Sequence, residues 1–260
     1  MNKRIKTILL GSIPFLIILV VWYVFSVQQI FPRWVIPSPE RTATTFIELL
    51  LDGTVLRLVL ISLVNIIPAF VIASIMAILL GTVIGIYPTV RKIFLPFISA
   101  VYPIPTLTWL PLVILFSGFT RETIWIVVFI ASFLRTIYNI VAGVRAVNHH
   151  WLLAAKNMGL NQFEIIFEVV IPGALPNIIT GLRLGFASAW RSLIATEMLV
   201  SSLGGLGKFI WYSQWVFSFD KVISGIIIIA IIGIGIETLV FRPLEKRTLI
   251  RWGMIHEAST

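Results

Sequence analysis

Six long apolar runs constrain this chain more than any other feature. They lie near residues 8–27, 55–86, 94–117, 123–147, 174–200 and 221–242, each close to or above the roughly 20 residues that span a bilayer as a helix. The composition agrees: 58% of the 260 residues are hydrophobic and only 12% charged, against roughly 25% charged in soluble domains. The expected class is an all-α integral membrane protein with six transmembrane helices. Dominance by Phe, Ile, Leu and Val excludes a disordered chain. The absence of Cys removes disulfides, thiolate metal sites and iron–sulfur chemistry.

The N-terminus, MNKRIKTILLGSIPFLIILVVWYVFSV, has the basic start and apolar core of a signal peptide. Its apolar run ends in Trp22, Tyr23 and Phe25 with no small-residue cleavage site after it, so it reads as a retained first membrane helix. Pro68 should bend the second run. The third holds Pro96, Pro103, Pro105 and Pro111 and cannot be a regular helix throughout. Broken backbone at membrane depth survives only where protein or a water-filled cavity covers it, which points to a pathway. With the N-terminus inside, eleven Lys and Arg fall on inner segments and six on outer ones. That bias places both termini in the cytoplasm. The net charge of +9 then marks inner loops and anionic headgroups rather than nucleic acid. No internal repeat or flexible linker divides the chain. The expected organisation is one permeation domain over 1–260, with an N-terminal membrane helix in 1–30, a core at 55–242, a cytoplasmic loop at 148–172 and a tail at 243–260.

That loop contains LLAAKNMGLNQFEIIFEVVIPGALP over 152–176. Leu160, Phe163, Phe167 and Val170 recur at helical spacing, with Asn161, Glu164 and Glu168 on a different face, and predict an amphipathic helix. Gly159 is expected to separate two short helices and Pro172 to end the second. Small residues at Ala154, Ala155 and Gly159 suit close approach by another backbone. A helix lying on the membrane surface fits the residues equally well.

No phosphate-cradling G-x-x-x-x-G-K-[ST] run occurs, so ATP hydrolysis by this chain is not expected. His149 and His150 are adjacent, point apart on a helix and make a poor metal site. No Ser/His/Asp pattern suggests nucleophilic catalysis. The work of the chain must be conformational.

The order L-A-A, three residues, Gly159, then twelve residues to Pro172 resembles the cytoplasmic EAA loop of bacterial ABC importer permeases. IPSP at 36–39, SL at 62–63, YPIPTLTWLPL at 102–112, Gly118, Asn139 and Gly143-Val144 continue the likeness. So do ALPNIITGLRLGFASAW at 174–190, Glu197 and GLG at 205–207, and the whole is similar to the nitrate, sulfonate, taurine and bicarbonate branch. The resemblance implies a type I ABC importer permease fold with cytoplasmic coupling helices, in a bacterial plasma (inner) membrane. It implies a second permease copy, two ABC ATPase subunits and an extracytoplasmic substrate-binding protein. ATP and Mg would sit on the ATPase, with no cofactor on this chain. The coupling residues would be Leu153, Ala154, Ala155, Gly159 and Pro172. The family's acid at the head of the loop is Leu153 here, which implies a weaker or differently organised ionic contact to the ATPase. Asn65 stands where the branch often has Arg, and Arg135 and Ile140 where it commonly has Pro and Thr.

Charges within spans are costly in lipid and therefore informative. Arg183, Trp190 and Glu197 repeat every seven residues on one face of the fifth span. Arg191 lies roughly 22 Å above Pro176 and Arg135 roughly 18 Å from the outer end of the fourth span, at helical rise. Arg135 and Arg191 could line a cavity and attract an anion. Alternatively an arginine could pair with Glu197 or Glu237, or with carbonyls freed by the broken span. Arg183 and Glu197, part of the family pattern, suit a structural or gating role. Pro103, Pro105, Asn139 and Trp190 complete the pathway candidates. Gly205-Leu206-Gly207 falls outside, as a plain loop or as a turn facing an external partner.

The function expected is that of a permease subunit importing a small oxyanion: an aliphatic sulfonate, taurine, nitrate or bicarbonate. An aromatic vitamin precursor is the second substrate class. An ATP-independent channel or secondary transporter leaves the cytoplasmic loop without a purpose, and a membrane enzyme lacks a catalytic cluster.

Overall fold

The structure, a computed structural model, describes residues 3–29, 32, 35–200 and 204–251. Arg33, counted above among the outer cations, and His256 lie outside the described residues. All regular elements among the described residues are helical.

Helix α1, Lys3–Val27, leads to α2, Pro39–Leu51. Ser38 caps α2, its hydroxyl accepting from the Arg41 amide at 3.2 Å, and Pro39 opens the first turn where no amide donor is needed. Trp22 Nε1 donates to the Pro37 carbonyl at 2.9 Å and ties α1 to this linker. Helix α3, Thr54–Ile86, runs 33 residues without interruption, Pro68 included. Next come α4, Pro88–Val101, a 3-10 turn at Thr106–Trp109 and α5, Leu110–Ser117. The limbs on either side of 102–105 meet at 93°. The four prolines act differently by position. Pro96 is absorbed inside α4 and Pro111 sits in the first turn of α5. Pro103 and Pro105 form the break, because each lacks an amide donor and steers the residue before it away from helical geometry.

Helix α6, Arg121–Arg145, is followed by α7, His149–Asn157, and one turn of α8, Gln162–Glu164. A π-helical segment, Ile165–Val170, then merges into α9, Ile171–Val200. The chain is helical from Gln162 to Val200 without a break. Pro172 therefore does not end a helix, contrary to expectation. The wider π turns ahead of it ease the clash a proline ring makes with the carbonyl four residues back. Beyond lie α10, Leu206–Trp215, and α11, Phe219–Ile236, which passes through a second π segment, Glu237–Phe241, into α12, Arg242–Arg251.

Four helices are long and apolar enough to cross a bilayer among the described residues: Thr54–Ile86, Arg121–Arg145, Gln162–Val200 and Phe219–Lys246. The bent pair α4–α5 supplies a fifth if counted as one span. The apolar part of α1 over described side chains, Gly11–Val27, is shorter, so the sixth expected span rests on the sequence.

Helices α3, α6 and α9 form the packed centre, because small residues let their backbones meet. A methyl group added at Gly81 would fall 2.9 Å from Ile140, and one at Gly85 would fall 2.6 Å from Val144. Gly181 and Gly185 of α9 take Thr136 of α6 in the same way. Two apolar clusters result. One gathers Ile66, Val127, Val128, Leu193 and Leu206. The other joins Ile84, Ile140, Val144, Ala155, Ile165 and Val170 beneath the hairpin of α7 and α8.

Candidate functional site

The helical hairpin of α7 and α8 is built by local chemistry. Asn148 caps α7, its side chain accepting from the His150 amide at 2.9 Å. Gly159 ends it at φ 83°. The Leu160 amide reaches the Ala155 carbonyl at 3.2 Å and the Gly159 amide reaches Lys156 at 3.0 Å, the paired bonds of a glycine-terminated helix. Asn161 starts the next helix with a reciprocal cap. Its side chain accepts from Phe163 and Glu164 amides at 3.0 Å, and Glu164 accepts from its amide. Gly159 thus separates two helices, as expected. It does so through its left-handed backbone, since nothing lies within 4 Å of where a Cβ would stand.

The apolar face drawn by the spacing is divided. Phe163 and Phe167 are 75% and 66% exposed, while Ile165 and Val170, five residues apart, are buried. Through a π segment the repeat lengthens, so residues at α spacing do not stay on one face. Ala155 is buried in the inner cluster. Ala154, Leu153, Met158, Phe163 and Phe167 are exposed on the hairpin. A hollow of about 560 Å³ beside α7 is lined by Ala154, Met158, Glu168 and Pro172, among others. His149 and His150 are exposed in the first turn of α7.

The broken span brings Tyr102, next to Pro103, against α6. Arg135 donates to the Tyr102 hydroxyl, and its guanidinium carbon sits 4.3 Å from that ring's centre, a cation–π contact. Tyr102 and Tyr138 lie with ring centres 4.7 Å apart, and Asn139 donates to the Arg135 carbonyl at 2.8 Å. Neither tyrosine was singled out from the sequence; the only signal was an aromatic residue abutting the proline break. Arg191 of α9 is exposed, and no ion pair involving it is found among the described residues. It shares an outward stripe with Asn177 and Leu184, spaced by seven residues.

Arg183 belongs elsewhere. It pairs with Glu237, and with Glu245 at 2.8 Å, joining α9 to the last helix. Trp190 is buried against Gly233 of α11 and stacks on Phe186. Glu197 is fully buried and pairs with no arginine among the described residues. Its carboxylate accepts from Asn65 Nδ2 at 2.9 Å, from Ser62 Oγ at 2.9 Å and from the Gly207 amide at 3.1 Å. The Ser62 hydroxyl in turn accepts from the Leu206 amide at 3.0 Å. Gly205, at φ 116°, lies so close that a Cβ there would fall 2.5 Å from the carboxylate. The Gly205–Gly207 turn is therefore clamped onto α3 and α9.

Comparison with known proteins fits this arrangement. Residues 73–242 match the family described as binding-protein-dependent transport system inner membrane component. The taurine transport system permease protein of Escherichia coli (strain K12) is 30% identical over 250 residues, covering 94% of this chain and 90% of that protein. A putative ABC transporter permease protein of Methanocaldococcus jannaschii is 34% identical over 230 residues, covering 87% and 85%. Among solved structures, an inward-facing MetNI methionine ABC transporter chain superposes with a TM-score of 0.54. It is 14% identical, with 73% of this chain and 97% of that one covered, a likeness of fold. The chain belongs to the inner membrane components of binding-protein-dependent transport systems, and it is a transmembrane permease subunit of an ATP-driven ABC importer.

Proposed function

We propose that this permease passes a small oxyanion, an organic sulfonate such as taurine being the class best supported. The observation that carries the reading is Arg191. A guanidinium left exposed and without an ion-pair partner among the described residues on a membrane-crossing helix is tolerable only where it faces water or a partner. Two copies of the chain, joined with the Asn177–Leu184–Arg191 stripes inward, satisfy that requirement and enclose a path. Arg135 lies along it, presented by Tyr102 and Tyr138 at the broken span. The taurine permease relative supports the same class.

The exposed hairpin of Leu153, Ala154, Met158, Phe163 and Phe167 is the surface on which an ATPase subunit docks. Its contact is mainly apolar, which suits Leu153 in place of an acid. ATP and Mg belong to that subunit. Both termini face the cytoplasm, the membrane is the plasma (inner) membrane, and a binding protein delivers the solute to the outer face near Gly205–Gly207. The Tyr102–Tyr138 pair favours an aromatic vitamin precursor as the second reading.

The test is uptake into proteoliposomes holding the permease, its ATPase and its binding protein. Labelled taurine should accumulate with ATP inside the ATPase compartment, and Arg191→Gln should reduce this. Uptake of an uncharged pyrimidine in preference to every sulfonate, nitrate and bicarbonate would sink the oxyanion reading.

A further inference from the structure

A second basic feature lies on the cytoplasmic side, away from Arg135 and Arg191. A cavity of about 660 Å³ opens between the ends of α3 and α6, the start of α4 and the hairpin. Its wall carries Arg91, Arg145, His149 and Lys156, and no Asp or Glu. A neighbouring hollow of about 430 Å³ shares Arg91 and Arg145 and adds Lys92, Leu95, Pro96 and Ser99. The two are joined through the shared arginines, so one basic groove runs along α4 into the hairpin.

Scattered surface cations need no explanation; these come from three separate helices and converge on one concavity. Arg91 opens α4, Arg145 closes α6, and His149 and Lys156 lie on α7. The ion pairs among the described residues involve only Arg41 and Arg183 as cations, so the charges in the groove are not neutralised there. Arg91 is half-buried and held in place by donating to the Gly85 carbonyl at 3.1 Å. Like charges gathered in a concavity repel one another, and an anion seated between them relieves that cost. The volume is that of a small-ligand site.

We infer that this groove binds a phosphate-type anion. The guanidiniums of Arg91 and Arg145 offer planar donor pairs to its oxygens, and Lys156 contributes a point charge from the hairpin. Two sources carry this chemistry, an anionic phospholipid headgroup and free phosphate. Because Leu152, Ile165 and Val170 of the hairpin line the same cavity, an occupant braces the hairpin against α4 and α6.

The inference is tested on the purified full-length chain in detergent, without ATPase, so its outcome is independent of the transport reading. Native mass spectrometry measures retention of phosphatidylglycerol against phosphatidylcholine, with and without inorganic phosphate as competitor. The wild type should prefer phosphatidylglycerol or bind inorganic phosphate. Arg91→Gln/Arg145→Gln and the exposed Lys156→Gln should weaken binding, the double variant by about tenfold. Arg57→Gln/Lys221→Gln, an equal charge change on the outer side, should leave it unchanged. Competition by inorganic phosphate assigns a soluble source; its failure, with phosphatidylglycerol still preferred, assigns the headgroup. Equal retention by wild type and both groove variants, or no preference over phosphatidylcholine together with no phosphate binding, overturns the site.

Discussion

Glu197 and Ser62 stand 135 residues apart in sequence, yet the Ser62 hydroxyl meets both oxygens of the Glu197 carboxylate within 3.0 Å. The carboxylate is buried inside a membrane bundle with no cation paired to it among the described residues. It is held by donors from α3 and from the turn after α9, and so serves as the knot that ties these elements together.

Removing it strands those donors. Glu197→Leu leaves Asn65 Nδ2, the Ser62 hydroxyl and the Gly207 amide without their acceptor, a loss of about 2–4 kcal/mol. Glu197→Gln keeps part of the network and should cost less. Thermal unfolding in detergent ranks the two, and equal melting temperatures for Leu and Gln would refute the knot.

Gly205→Ala attacks the same turn from the other side. The added methyl must sit against the carboxylate, on a backbone that L residues rarely adopt, at an expected cost of about 1–3 kcal/mol. Glu197→Gln should not rescue it, since the side chain stays the same size. Melting curves of the single and double variants decide this.

Gly159→Val should leave the protein in the membrane and abolish ATP-coupled uptake. There is room for the side chain, so the damage comes from the φ of 83°, a strain of about 1–2 kcal/mol for a residue with a Cβ. Gly159→Asn, which tolerates that backbone better, should retain more uptake. If Val and Asn are equally active, the turn is not what coupling requires.

Arg183→Met should behave as a stability variant. It leaves Glu237 and Glu245 without their cation, at about 1–2 kcal/mol given their partial exposure. Adding Glu237→Gln should recover part of the loss. Arg191→Gln should do the reverse, lowering oxyanion uptake about tenfold with an unchanged melting temperature. Matching profiles for the two variants would erase the distinction between strut and pathway.

Apolar run length announced the crossing helices, and the proline-rich third run announced the break, because both follow from local chemistry. Gly159 was legible for the same reason. The splitting of the 160–170 apolar face, with Val170 buried and Phe163 and Phe167 exposed, was not, since α spacing does not hold through a π segment. Pro172 misled for a related reason: a proline stops an α-helix, whereas a π turn before it lets the helix continue. The partners of Glu197 and Arg183 were out of reach. Ser62, Asn65 and Glu245 become neighbours only once α3, α9 and α12 pack.

The π segment at Ile165–Val170 leaves slack in an otherwise continuous rod. One residue passed across it, by return to α register, turns the helix beyond by about 100° and advances it about 1.5 Å. The π segment thus fixes how Arg191 and Glu197 are presented relative to the hairpin, one residue out of step with a continuous α-helix.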